Sequence, residues 1–482
     1  MMKRTNSRVL MTLILGMCFA LLAVPGWAGQ GAKLMGPVAG GSQGAPFAAP
    51  AFDLESQGYV AEEYFLEGEA SAYRLAEGTE HTADGRWKTE RETASVPYRT
   101  RILVVRPTEE SRFNGTVVVH WQNVTAGYEL GSVAEGSEYL RGYAWVGVSA
   151  QTVGVNGFPG PDAAGLMQWD PERYDSLEHP GDAYSYDIYT QAARAVGRER
   201  DAAGLDPMGG LDVERIIAAG ASQSAGRLRT YINGVHPVEK LFDGFMPYID
   251  FASPVPFAAD QGGGQQGGRG GRGGRVASGI RTDLGVPVFV VNSETETPRY
   301  FPARQADTDT YRFWEVSGTS HVSVARAAAA TTQGMDHPNW LSYTPVYNAA
   351  LRHMHVWLTE GKAPPVMPLI EAKALAGGPP EILRDERGNA RGGIQMPAFA
   401  VPSAEHRGSG TAVQGGSRFA FLYGYAREFT SEELAELYSG RDDFLKKYDA
   451  ELAEAVASGV LLEEEAPEMR TTAEEWSSKL AG

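Results

Sequence analysis

Three residue types, in one order along the chain, are able to do nucleophilic chemistry together. Ser222 sits in Gly220-Ala221-Ser222-Gln223-Ser224-Ala225-Gly226, a run of small residues between the apolar segment 216–219 and a helical segment at 227–233. Strand, sharp turn and helix with a serine at the apex is the setting of a nucleophile elbow. The pattern is Gly-x-Ser-x-Ser, so Ser224 fits the same template shifted by two; Ser222 is preferred because it follows the strand end at the usual distance. A capping serine in an ordinary strand-to-helix turn has the same local look, so the elbow needs partners elsewhere.

Those partners follow in the order acid, then histidine. Glu294 and Glu296 come just after the apolar segment 286–292, and His321 comes after 313–316 in a loop of small residues. Glu296 is favoured over Glu294 as the acid because it lies a few residues past the strand. The imidazole would take the serine proton and the carboxylate would orient the imidazole. An oxyanion would need two backbone N–H donors: one from Gln223, the other from Gln122 or Asn123. Of the other histidines, His120 reads as structural or pocket-lining and His236 as a helix cap. His353 and His355 are too badly spaced on one helix for a metal pair. No metal or cofactor is expected.

The elements that must position these groups are legible in outline. Segments 59–75 and 98–105 alternate apolar and polar residues, as antiparallel strands do. Segments 115–121, 143–148, 242–249, 286–292 and 313–316 are short and apolar, as buried parallel strands are. Helical spacing appears at 185–198, 344–360, 431–438 and 442–457. Strands alternating with helices imply an α/β fold with a mostly parallel sheet and sites at the strand carboxyl ends. Trp121 and Tyr186, with Tyr184 and Trp340, are placed either to line an apolar pocket for substrate or to pack in the core.

Residues 1–28 read as a cleavable secretory signal: a basic start, an apolar run and Pro25-Gly26-Trp27-Ala28 before the cut. This predicts a periplasmic or secreted protein. The single cysteine, Cys18, lies inside that segment, which excludes disulfides and thiol chemistry from the mature chain. Residues 29–58, rich in Gly, Ala and Pro at their start, read as a flexible leader, and 261–276, including Gly262 to Arg275, as a disordered Gly/Arg-rich loop. The net charge of −17 argues against nucleic acid and anionic membrane as partners. The oligomeric state is left open.

Longer matches identify a resemblance. They include Tyr98-Arg99-Thr100-Arg101-Ile102-Leu103-Val104, Arg112-Phe113-Asn114-Gly115, Trp121-Gln122-Asn123-Val124 and Gly181-Asp182-Ala183-Tyr184-Ser185-Tyr186. Ser222-Gln223-Ser224-Ala225, Trp314-Glu315-Val316 through His321, and Gly388-Asn389-Ala390-Arg391-Gly392-Gly393-Ile394 complete them. In these stretches the chain resembles a bacterial family of α/β-hydrolase-domain proteins, esterase-like serine hydrolases. The resemblance implies an α/β-hydrolase core over 59–365 and a C-terminal extension over 366–482 packed on it. It implies an esterase without specifying a substrate; the serine chemistry itself points to a small-molecule ester. Relatives are expected to carry Asp in the acid loop, where this chain has only Glu. An amidase or peptidase would use the same triad on another leaving group, and a non-catalytic binding protein would keep the fold without the chemistry.

Overall fold

The structure, a computed structural model, describes residues 31–160, 163–257, 277–324, 337–411, 419–478 and 480. The expected signal segment and the Gly/Arg-rich loop lie outside the described residues.

Nine strands form one sheet: β1 (Lys33–Met35), β2 (Tyr59–Leu75), β3 (Thr89–Pro107), β4 (Thr116–Trp121), β5 (Ala144–Val148), β6 (Arg215–Ala221), β7 (Gly244–Tyr248), β8 (Val288–Ser293) and β9 (Tyr311–Val316). Their spatial order is β1-β2-β3-β5-β4-β6-β7-β8-β9. The first three pair antiparallel, and β3 joins β5 antiparallel. From β5 to β9 every pairing is parallel. The parallel strands are buried on both faces, which is why they read as continuous apolar runs.

Side-chain alternation divides β4 and β6 between two layers. Val117, Val119, Ile216 and Ala218 pack with Ile188, Tyr189 and Ala192 of α1 (Ser185–Val196) and with Leu228 of α2 (Gln223–Thr230). Val118, Ile217 and Ala219 face the other way, onto Val346, Ala350 and Met354 of α3 (Thr344–Glu360). Pro345 in the first turn of α3 and Gly361 at φ 70° after it supply the stop signals that made its limits readable. The C-terminal part contacts the sheet at its β9 edge. Ile394 runs parallel to Val316, its N–H donating to Glu315 O (2.8 Å), so it extends the sheet past β9. Helices α4 (Arg441–Ala457) and α5 (Ala466–Ser477) close a smaller cluster around Phe444, Tyr448 and Trp476.

The stretch expected to be a flexible leader is tied down from residue 31 onward. β1 adds to the sheet edge, and Asp170 accepts the Ser42 and Gln43 N–H groups, each at 3.0 Å. Beneath it lies a buried ionic network. Arg101 holds Glu63 (2.7 Å) and Glu129 (2.8 Å), Arg173 holds Glu63 (2.6 Å), and the two guanidiniums also donate to the Phe47 and Val38 carbonyls. These partners are remote in sequence, so composition alone reads the segment as loose. Arg101→Met strands the buried Glu129 carboxylate and leaves Glu63 to Arg173 alone, and is expected to cost about 3–5 kcal/mol, read as a lowered denaturation midpoint.

Candidate active site

β6 delivers the elbow. Ser222 has φ 57° and ψ −115°, a conformation that costs a non-glycine residue of order 1–3 kcal/mol and persists only where neighbours enforce it. They do so here: the Ser222 N–H donates to Tyr248 O at the end of β7 (3.1 Å), and Ser222 O accepts the Gly226 N–H (3.1 Å). A Cβ on Gly220 would lie 3.1 Å from Ser224 O, and one on Gly226 would lie 2.6 Å from Ser253 O. The helix therefore approaches β6 at Gly220, and the loop after β7 at Gly226, only because these positions are small. Ser224 is fully buried, and its Oγ donates to Ala221 O (2.8 Å). The apex of the turn is Ser222; Ser224 lies inside the first helical turn.

The two glutamates at the end of β8 share one 3-10 turn, Glu294–Glu296, and point to different partners. Glu296 accepts the Ser293 N–H (2.9 Å) and Oγ–H (2.6 Å) with one oxygen, and its other oxygen lies 2.6 Å from His321 Nδ1. The His321 N–H donates to Thr295 Oγ1 (2.9 Å), which fixes the loop after β9 against the acid turn. Glu294 turns away. It accepts from Gly318 N (2.8 Å), Gly408 N (3.0 Å) and Arg384 Nη2 (2.7 Å), and so clamps the C-terminal segment onto both loops. Of the two acids, the structure joins Glu296 to His321 and leaves Glu294 in a structural ion pair.

The loop after β7 completes this wall, and nothing in its sequence signalled the role. Asp250 is buried against Arg229 (2.5 Å), and its N–H donates to Asn292 Oδ1 (2.8 Å). Ile249 and Ala252 on either side have positive φ, 44° and 55°. The pinned loop stacks Phe251 on the His321 ring, with centroids 5.1 Å apart and planes at 18°.

The expected oxyanion donors need correction on one side. Gln223 opens α2, so its N–H has no intrahelical acceptor and is free to point at an anion. The Gln122 N–H, however, donates to Val148 O and the Asn123 N–H to Leu130 O, both at 3.3 Å. Sheet pairing carries on past β4 and uses both donors. The next N–H, that of Val124, donates to no acceptor among the described residues, while its carbonyl accepts the Gly127 N–H (3.0 Å). Asn123 contributes its side chain instead: Nδ2 donates to Ala221 O (3.0 Å) and Oδ1 accepts the Thr125 N–H (2.9 Å), tying this loop to the elbow. Trp121 and Tyr186 lie in the core. Both are fully buried, Trp121 donating to Gln151 Oε1 (3.1 Å) and Tyr186 to Val255 O (2.8 Å), so they support the strands and do not line an open pocket.

Among the described residues, no group of three or more His, Cys, Asp or Glu side chains is placed to hold a metal ion. His120 bonds Tyr248 OH through Nε2 (3.0 Å), and burial pushes its pKa down to about 4. His236, packed edge-on against Phe245, is lowered to about 4 for the same reason. Both stay neutral in the folded chain, while the unfolded chain protonates them near pH 6.5. Their contribution to stability is therefore full above that value and is lost as the pH falls toward about 4. Urea midpoints measured across this window should fall with pH, and less steeply in His120→Gln.

Comparison with known proteins agrees with this architecture. A family model described as "Alpha/beta hydrolase domain" matches residues 34–471. No curated protein matches the chain. Solved structures that resemble it include esterase Est22, 12% identical over 54% of this chain and 72% of that one, with a TM-score of 0.26. An alpha-beta serine hydrolase homologue from Coxiella burnetii is 10% identical over 45% of this chain and 82% of that one (TM-score 0.24). XC6422 from Xanthomonas campestris, an a/b serine hydrolase without lid, is 9% identical over 45% and 78% (TM-score 0.25). A family match running nearly the whole length, over a mostly parallel sheet with helices on both faces, makes this chain a member of the alpha/beta-hydrolase-domain family.

Proposed function

We propose that the protein is a serine hydrolase of carboxylic esters that works through an acyl-enzyme. The observation that carries this reading is the buried Glu296 carboxylate 2.6 Å from His321 Nδ1, in the loops that follow β8 and β9 of the same parallel sheet whose β6 ends in the elbow holding Ser222 at φ 57°. A carboxylate on Nδ1 leaves the opposite ring nitrogen to accept the Ser222 proton and stabilises the imidazolium that forms. Ser222 Oγ attacks the ester carbonyl, and the N–H groups of Gln223 and Val124 receive the oxyanion. His321 then protonates the leaving alcohol. Water, deprotonated by His321, cleaves the acyl-enzyme and releases the acid.

The test is mass analysis of the mature protein after treatment with a fluorophosphonate. A single adduct on Ser222 supports the reading; an adduct on Ser224 overturns the register, and none on folded protein overturns the mechanism. We also propose export to the periplasm or medium, on the strength of the first 28 residues. The same intact mass should show a chain beginning at Gly29; retention of the first 28 residues would contradict export.

A further inference from the structure

We infer that this site takes esters bearing a carboxylate or similar anionic group, and that Arg299 is the residue that selects them; the inference rests on the serine-ester reading above. Arg299 lies just past the acid turn, in the short helix Thr297–Tyr300, and is exposed. Its guanidinium carbon lies 5.0 Å from the centre of the Phe251 ring and 5.4 Å from that of Phe421. Phe251 is the ring that stacks on His321. Phe421 belongs to the turn Ala420–Tyr423, which docks on the histidine loop where the Val322 N–H donates to Leu422 O (2.8 Å). Phe251 thus touches both the cation and the imidazole, which places the two within about 10 Å of each other.

The arginine is held but not neutralised. Stacking on aromatic faces leaves the in-plane N–H donors of a guanidinium open, and its charge is permanent. Among the described residues, Arg299 makes no ion pair or side-chain hydrogen bond. Arginines on the elbow helix, the acid-loop segment and the C-terminal segment do: Arg227 pairs with Asp182 (2.6 Å), Arg229 with Asp250 (2.5 Å), Arg384 with Glu294 (2.7 Å) and Arg304 with Glu315. In a chain with 60 acidic and 43 basic residues, an unpaired cation beside the site is the exception. An acidic surface repels an anionic substrate at long range, so such a substrate needs a fixed local cation to be selected. The pinned loop behind Phe251 supplies the rigidity, so little ordering remains to be done on binding.

The experiment compares matched esters on the full-length mature enzyme, wild type and Arg299→Met. The p-nitrophenyl monoester of adipic acid is paired with p-nitrophenyl hexanoate, and that of suberic acid with p-nitrophenyl octanoate. Wild type should prefer the anionic member of a pair in kcat/KM, with the preference shrinking at high salt. In Arg299→Met the anionic-to-neutral ratio should fall by about 10–100-fold, mainly through KM, and Arg299→Lys should restore part of it. A ratio near one in wild type, or a ratio unmoved in Arg299→Met because both esters slow together, overturns the inference. Fluorophosphonate labelling of Ser222 is run alongside. Labelling without hydrolysis of any ester leaves the nucleophile standing and overturns the substrate class. Failure to label folded protein overturns the serine reading itself.

Discussion

Ser222→Ala should lower ester turnover by roughly a thousandfold or more and abolish fluorophosphonate labelling, while Ser224→Ala keeps both. The two serines differ in what their oxygens already do. Ser224 Oγ is spent on Ala221 O inside the helix start, and its loss costs about 1 kcal/mol of stability. Ser222 sits at φ 57°, where a side chain is tolerated only because β7 and α2 hold the backbone on both sides. Glycine adopts that conformation without strain, so Ser222→Gly should be inactive yet no less stable than Ser222→Ala. Thermal melts of the two variants beside kinetic assays would show it. A Ser222→Ala enzyme with near-normal turnover would remove the mechanism.

Glu296→Gln should lower turnover by about a hundred- to ten-thousandfold in a chain that still folds, because the amide keeps the contact with Ser293 but no longer stabilises an imidazolium. Glu294→Gln should do the reverse. Glu294 binds Arg384, Gly408 and Gly318, so its loss unfastens the C-terminal segment and strips a partly buried arginine of its partner. The expected cost is about 3 kcal/mol of stability, with most of kcat kept in the fraction that is folded. Denaturation midpoints and kcat measured on both variants separate the roles. If Glu294→Gln lost the chemistry and Glu296→Gln lost only stability, the acid would be misassigned.

The same contrast shows why the sequence reading stopped where it did. Both glutamates follow one strand, two residues apart, and either fits the usual distance from the strand end. What distinguishes them is Arg384 and Gly408, about a hundred residues further on, and the direction in which the 3-10 turn aims each side chain. The second oxyanion donor was misplaced for a related reason. Residues 122 and 123 look like loop, but the hydrogen bonds of Gln122 to Val148 and Asn123 to Leu130 extend pairing past β4 and move the free amide to Val124. Phe251 and Arg299 carried no signal, since a lone aromatic and a lone arginine are ordinary until the fold stacks Phe251 on His321 and sets Arg299 over Phe251.

The sequence alone determined the α/β class, the central strands to within two residues at most ends, the limits of α3 and the order serine, acid, histidine. Each of these rests on neighbours along the chain: apolar runs buried on both faces, a proline and a glycine at helix ends, small residues around a tight turn. Tertiary structure alone decided which glutamate meets the histidine, which amide stays free, that residues 31–58 are docked, and that Trp121 and Tyr186 are core. Those outcomes depend on partners tens to more than a hundred residues away, and on burial that ties Glu63, Arg101 and Arg173 into one network. Local spacing encodes where a side chain starts; only the packed chain determines what it reaches.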